Sequence, residues 1–312
     1  MASSSFGKGV FCAVSSYLLW GILPLYWHLL SFVSPLHILS FRIIFSLFFV
    51  SLVLLLGRNT AWLRLFADPK KRLLAMLSGL IISFNWGLYI WAVNNGHTIE
   101  SSLGYYINPL ISILLGLIIF KEKLNRLQWV AFVFAVLGVL IITLLSGTIP
   151  WISLALAVSF GLYGLIKKKL SASSLESLGA ETLAAIPIGI ALLVFPLHGL
   201  GDLSGLSPLA WAALASCGIV TALPLYLFGQ GAKLLPLSTV GFLQFLQPTV
   251  MFLMGVAVLK EPFPARNFAA FGFIWASVII YSVSLRKGRS PPNTSTPPPP
   301  QARPPHTPSR LA

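Results

Sequence analysis

The 312-residue chain is 56% hydrophobic and only 9% charged, with a mean hydropathy of +0.87. Soluble globular domains carry about 25% charged residues, so this composition excludes that class and indicates an integral membrane protein. The net charge of +14 does not indicate nucleic-acid binding. Such binding would need a basic face on a soluble domain, and no loop between the apolar segments is long enough to build one. We therefore predict no nucleic-acid partner.

Apolar segments follow one another along the chain, each of about the 20-residue length that crosses a hydrocarbon core. They must be helices, because a lipid-exposed backbone has to satisfy its own hydrogen bonds and the runs lack the alternation of barrel strands. We therefore predict an all-α integral membrane protein with ten transmembrane helices. The predicted spans are residues 8–29, 37–57, 73–94, 101–120, 127–145, 150–166, 178–197, 208–231, 238–259 and 267–285.

The positions of the basic residues predict the orientation of these spans. With the N-terminus inside, all but three of the 21 Lys and Arg residues fall on the cytoplasmic side, the exceptions being Arg42, Lys260 and Arg266. The positive-inside rule then predicts that both termini are cytoplasmic. The same basic residues would contact anionic headgroups, so membrane lipid is a predicted partner.

Polar and aromatic side chains in the first and third spans are candidates for a substrate cavity. Asn85 and Tyr89 lie four residues apart and share a helix face, which would place an amide and a phenol beside a substrate. We assign Trp20 and Trp86 to the same cavity. Tyr26 lies closer to the outer boundary, where an aromatic belt is the ordinary interpretation.

Two ionisable residues lie within predicted spans, Arg42 near the start of the second and Glu181 near the start of the seventh. Such residues usually face a cavity or a partner. Because the two spans enter from opposite faces, we favour two separate roles over a direct salt bridge. We expect Arg42 to hold or gate an anionic group on the outer side and Glu181 to anchor the inner side. The alternative is that both only fix helix packing.

Prolines interrupt the fourth and ninth spans at Pro109 and Pro248. Each removes one backbone hydrogen bond and frees the carbonyl four residues earlier. In lipid, such carbonyls and nearby amides need partners, so we predict that this face looks into the protein or a wet cavity, with the prolines as hinges. The alternative is a pair of structural kinks joined by interhelical amide bonds. The polar side chains on this face are Tyr105, Asn108, Gln244 and Gln247.

One sentence of the sequence is written twice: PLISILLGLIIFKEKL begins at Pro109, and PTVMFLMGVAVLKEPF begins 139 residues later at Pro248. Both copies place Gly, Lys and Glu at the same distances from the proline. The chain therefore contains two repeats of five helices, and because five is odd the repeats are inverted. Inverted repeats are typical of secondary transporters, although an old duplication without a transport role remains the alternative. The Lys-Glu pairs themselves are interpreted as membrane-boundary residues.

The repeat also predicts the organisation of the chain. Residues 1–145 form the first repeat, residues 146–285 the second, and residues 286–312 a proline-rich, disordered cytoplasmic tail. A shift of 137 residues sets Leu225-Tyr226 on Leu88-Tyr89, which adds Tyr226 to the cavity candidates.

Five stretches carry a resemblance to a known family: YLLWGILPLYW, LSFRIIFSLFF, NWGLYIWAVNNGHTIESSLGYYINPL, AETLAAIP and STVGFLQFLQPTVMFL. Through them nearly the whole of residues 8–285 resembles the drug/metabolite transporter superfamily, EamA type, RarD branch. The resemblance implies a ten-helix carrier in the bacterial cytoplasmic (inner) membrane. It also implies export, and related members move amino acids and other metabolites.

We therefore expect a secondary transporter that moves a small amphipathic metabolite, an amino acid or a drug-like compound, by alternating access. No GxxxxGK[ST] pattern is present, so ATP does not power transport from within this chain. The sequence has neither paired carboxylates at membrane depth nor HExxH, and we predict neither an enzyme nor a cofactor or metal. Coupling to protons through Glu181 and uncoupled transport are both left open. The alternative functions are a lipid flippase and a non-transporting membrane partner protein.

Overall fold

The computed structural model describes residues 2–30, 32–95, 97–147, 151–194, 203, 205–258 and 268–287. Within these ranges the chain is helical without any strand, and ten helices are long and apolar enough to cross a membrane. The predicted fold class is thereby confirmed. The α-helices are α1 Ala2–Leu29, α2 Pro35–Leu56, α3 Pro69–Asn94, α4 Thr98–Ile119, α5 Arg126–Ser146, α6 Trp151–Lys169, α7 Ser174–Val194, α8 Pro208–Leu234, α9 Leu237–Gln244, α10 Leu246–Ala257 and α11 Phe268–Lys287.

Helix ends follow from capping residues in the sequence. Ser34 and Ser207 accept backbone N–H bonds at the starts of α2 and α8, each followed by a proline that suits the first helical position. Asn125 begins α5 with a reciprocal capping box to Gln128. Gly147 ends α5 with a left-handed φ of 67°, which glycine adopts without steric cost.

The ninth span is broken, contrary to the single helix that the sequence predicts over 238–259. It consists of α9 and α10, which meet at Phe245. Pro248 has no N–H, so the carbonyl of Gln244 loses its helical donor and the last turn of α9 ends there. Pro109, by contrast, lies inside a continuous α4. The two prolines are therefore not structurally equivalent, and their role as hinges stays a prediction.

The helices pack in a pattern that has two-fold symmetry. The pair α1 with α8 corresponds to α6 with α3, and the pair α2 with α8 corresponds to α7 with α3. Likewise α4 packs on α6 as α10 packs on α1, while α2 with α7, α4 with α9 and α5 with α11 are pairs of equivalent helices. This exchange of partners is what two inverted five-helix repeats produce when they pack face to face. Most of the interior therefore lies between the repeats.

Two glycines at equivalent positions allow the closest of these approaches. A Cβ atom built on Gly79 would lie 2.4 Å from the carbonyl oxygen of Glu181, and one built on Gly218 would lie 2.3 Å from that of Phe45. Real Cβ atoms do not approach backbone oxygen so closely, so α3 rests on α7, and α8 on α2, only because these residues lack a side chain. The two contacts set how near the repeats lie to each other.

We predict that Gly218→Ala destabilises the folded protein, because the added methyl group forces α8 away from the backbone of Phe45. Overpacking of this kind costs about 1–3 kcal/mol. Gly87→Ala is the matched control, since a Cβ at Gly87 in α3 meets nothing within 4 Å. Thermal unfolding of the purified proteins in detergent measures both effects. Equal midpoints for the two variants would contradict the role of Gly218 in packing.

Candidate substrate-binding site

A cavity of about 110 Å³ lies between the two repeats. Its wall is built by α1, α2, α3 and α4 of the first repeat together with α6 and α10 of the second. Such placement between inverted repeats is typical of substrate sites in secondary transporters. Of the side chains predicted to contact substrate, eight line this cavity: Trp20, Arg42, Asn85, Trp86, Tyr89, Tyr105, Asn108 and Gln247.

Arg42 lies between two indole rings. Its guanidinium carbon is 4.7 Å from the ring centroid of Trp27 and 4.2 Å from that of Trp86. Stacking on aromatic faces suits the planar, weakly hydrated guanidinium and fixes its plane. The Nε–H group donates a hydrogen bond of 3.2 Å to Thr221 Oγ1. Sequence reasoning missed Trp27, although it lies seven residues after Trp20 and therefore on the same face of α1.

An aromatic cluster fills the bundle on the side of the cavity toward the N-terminus of α1. It consists of Tyr17, Trp20, Phe160, Tyr163 and Phe228, and we call it the aromatic plug. The ring centroids of Trp20 lie 5.6 Å from those of both Phe160 and Phe228, and Phe160 lies 5.2 Å from Phe228. Tyr17, Tyr163 and Phe228 are almost completely buried. The cavity is therefore closed at this end by packed rings.

The amides of the wall differ in what they have left to offer. Asn85 Nδ2 donates bonds of 2.8 Å to Leu156 O and to Ser159 Oγ, so this side chain ties α3 to α6. Asn108 is 95% buried by its 5% exposure, and its Oδ1 accepts no hydrogen bond in the structure. A buried acceptor without a donor is unfavourable unless a ligand or water supplies one. Asn108 is thus the better candidate for a direct polar contact to substrate.

Glu181 lies outside this cavity and has a different partner from the one that the sequence suggested for discussion. Lys167 Nζ approaches Glu181 Oε2 at 3.0 Å, and Ser78 Oγ donates to the same oxygen at 2.6 Å. Tyr163 donates to Oε1 at 2.8 Å, and Lys167 also donates to Ser177 Oγ at 2.9 Å. The side chains of Lys167 and Glu181 are 0% and 2% exposed. We call this pair the Lys167–Glu181 lock.

Lys167 therefore corrects the topology argument, which counts it as a cytoplasmic boundary charge. It opens a run of three lysines at the end of α6, a pattern that reads as interfacial. However, α7 folds back against this turn and encloses the first of the three. The useful signal was the acidic residue in the following helix, because a buried lysine needs a carboxylate partner.

Two further candidates also lie away from the cavity wall. Gln230 Nε2 donates to the hydroxyl of Tyr226 at 3.1 Å, and Ser112 Oγ donates to Gln244 Oε1 at 3.2 Å. The break at Phe245 separates the directions of Gln244 and Gln247, so the face that the sequence predicts for them is not shared. Arg42 and Glu181 both border a smaller second cavity, but no ion pair joins them among the described residues.

Glu122 also differs from its interpretation as a boundary residue. Its Oε1 and Oε2 atoms accept backbone N–H bonds of 2.7 Å from Leu237 and 2.8 Å from Ser238. A carboxylate at this position satisfies unpaired N–H groups at the start of α9 and favours the positive end of the helix dipole. The charged end of the repeated motif therefore links the first repeat to the second. Its counterpart, Lys260-Glu261, lies outside the described residues.

Comparison with known proteins agrees with the two-repeat architecture. Residues 7–144 and 148–283 each match the model of the EamA-like transporter family. The uncharacterized transporter YojE of Bacillus subtilis is 45% identical over 284 residues, covering 90% of this chain and 95% of that one. Protein RarD of Streptomyces exfoliatus is 43% identical over 282 residues, covering 87% of each chain. A crystal structure of 19% identity has the same fold, with a TM-score of 0.70 over 92% of this chain and 99% of that one.

We predict that Glu181→Ala strongly destabilises the protein, because it leaves the Lys167 ammonium buried without its partner. Breaking a buried ion pair from one side costs about 3–5 kcal/mol. The double variant Lys167→Met with Glu181→Leu removes both charges and should recover most of the lost stability. Lys169→Met, at the exposed end of the same helix, serves as the control. Thermal unfolding in detergent that ranks the double variant below Glu181→Ala would contradict the pairing.

Proposed function

The chain belongs to the EamA-like transporter family, and we propose that this multi-pass permease of the bacterial inner membrane moves one small amphipathic metabolite by alternating access. Amino acids and drug-like compounds are the candidate classes, and export is the proposed direction. The observation that carries the proposal is the cavity between the repeats, closed at one end by the aromatic plug and the Lys167–Glu181 lock. With the predicted N-in orientation, that closed end is cytoplasmic and the cavity occupies the outer half.

Repeat equivalence supports the alternating step. Trp20 and Phe160 occupy equivalent places, since Gly21 and Gly161, the residues that follow them, pack on the equivalent residues Val250 and Ile111. The same correspondence sets Phe228 of the plug on Tyr89 of the cavity wall. An inverted arrangement would therefore bring Tyr89 against Trp20 and Phe160 and close the outer end, while Phe228 withdraws and opens the inner end.

The lock adds a polar element to this movement. Lys167 is on α6, Glu181 is on α7, and the bond from Ser78 connects both to α3. Opening the cytoplasmic end requires α3 or α6 to move relative to α7, so these bonds must lengthen or exchange. We propose that the lock keeps the inner end closed until the substrate site is occupied.

The test is solute exchange in proteoliposomes. Purified protein is reconstituted with an unlabelled metabolite mixture inside, and uptake of radiolabelled candidate metabolites is followed as counterflow. We expect saturable exchange of at least one solute. Met251→Trp should abolish it because Met251 lines the cavity, whereas Met254→Trp on the same helix lies off the wall and should retain it.

The rival functions give different results in the same vesicles. A lipid flippase would equilibrate fluorescent phospholipid between leaflets without exchanging any solute. A non-transporting partner protein would do neither. Equal exchange by the Met251→Trp and Met254→Trp variants would separate transport from this cavity and overturn the site assignment.

A further inference from the structure

Arg42 has more hydrogen-bond donors than the protein uses. A guanidinium carries five N–H donors in a rigid fork. In the structure only Nε–H has a printed partner, Thr221, and the two indole rings of Trp27 and Trp86 contact the faces of the group rather than its edge. The terminal Nη donors therefore have no acceptor among the described residues. Two parallel N–H groups in a plane are the geometry that binds a carboxylate in a bidentate manner.

The charge of Arg42 is also unbalanced. No Asp or Glu side chain is among the described residues that line the cavity. Glu181 borders the small neighbouring cavity, but Lys167 already neutralises it at 3.0 Å. An enclosed site with one uncompensated positive charge and low-dielectric walls attracts an anion. Charge balance favours a ligand with a single net negative charge.

The rest of the wall describes the body of that ligand. Trp20, Tyr89, Tyr105 and Phe160 supply apolar ring surface, and Tyr89 and Tyr105 meet edge to face at 5.7 Å between centroids. A cavity of about 150 Å³ is known to hold one benzene molecule, so about 110 Å³ restricts the body to a compact group of that order. Asn108 Oδ1 offers one buried acceptor for a hydroxyl or N–H group.

We propose that the substrate is a small carboxylate monoanion with a flat apolar body, whose carboxylate binds the free edge of Arg42 and whose remaining polar hydrogen is accepted by Asn108. The inference deepens the proposed transport function and rests on it. A zwitterion fits less well, because its ammonium group has three N–H donors and meets no carboxylate on the described wall. A cation is disfavoured by Arg42 itself.

Binding to the purified protein tests the charge requirement with matched pairs. The probes are benzoate, phenylacetate and 4-hydroxybenzoate, each beside its carboxamide, with L-phenylalanine as the zwitterion and benzylamine as the cation. Isothermal titration in detergent at constant ionic strength gives the dissociation constants. Because charge-assisted bonds are about twice as strong as neutral ones, we expect at least one acid to bind about tenfold or more tightly than its amide.

Variants assign the preference to Arg42. Arg42→Gln should remove the preference for acid over amide, Arg42→Lys should retain part of it, and Arg64→Gln at an exposed site should leave it unchanged. Monodisperse elution of each variant shows that it is folded. The proposal is overturned if no acid binds better than its amide, if Arg42→Gln keeps the preference, or if equimolar chloride displaces the acid completely, since that marks a site for inorganic anions. Saturable, cavity-dependent counterflow of a neutral or zwitterionic solute that is indifferent to Arg42→Gln would overturn the anion inference and leave the carrier function intact, whereas absence of all solute exchange would reject the function itself.

Discussion

The Lys167–Glu181 lock is the interaction on which the closed end of the molecule depends. Removing two charges from water costs several kcal/mol per ion, so a pair inside an apolar bundle persists only where other groups complete its hydrogen bonds. Ser78, Tyr163 and Ser177 supply them here. These donors come from three different helices, so the cost of burial is offset only when α3, α6 and α7 are assembled together. The same requirement fixes Tyr163 in the aromatic plug and thereby sets the floor of the cavity.

Duplication has produced two chemically different versions of this arrangement. By the correspondence that relates Gly21 to Gly161, Lys167 occupies the place of Trp27, and Glu181 occupies the place of Arg42. In one repeat the two positions form an ion pair that satisfies itself. In the other they place a cation over an aromatic ring, which stabilises the guanidinium without neutralising it. The scaffold is symmetric, but one half holds a finished polar contact and the other holds an unfinished one.

Sequence reasoning succeeded where the determining information is local. Ten spans follow from hydropathy, the duplication follows from motif spacing, and helix periodicity brings residues such as Asn85 and Tyr89 to one face. It failed where a tertiary contact decides. Glu122 caps a helix that begins 115 residues later, the break at Phe245 turns Gln244 off the shared face, and α7 covers Lys167. None of these contacts leaves a periodic trace in the sequence, although an unpaired carboxylate inside a span already indicates a hidden cation.

The unfinished charge has a consequence for transport on the proposed function. To alternate, the carrier must occlude its site, and occlusion encloses Arg42 away from water. An empty site would bury an uncompensated cation, which costs several kcal/mol, whereas a bound carboxylate supplies the missing charge and the acceptors. The empty carrier should therefore reorient much more slowly than the loaded one. Arg42 would then do more than select an anion: it would make occupancy the condition for movement, so that the carrier exchanges solutes faster than it moves them in one direction, and the lock at the opposite end would be released only from the loaded state.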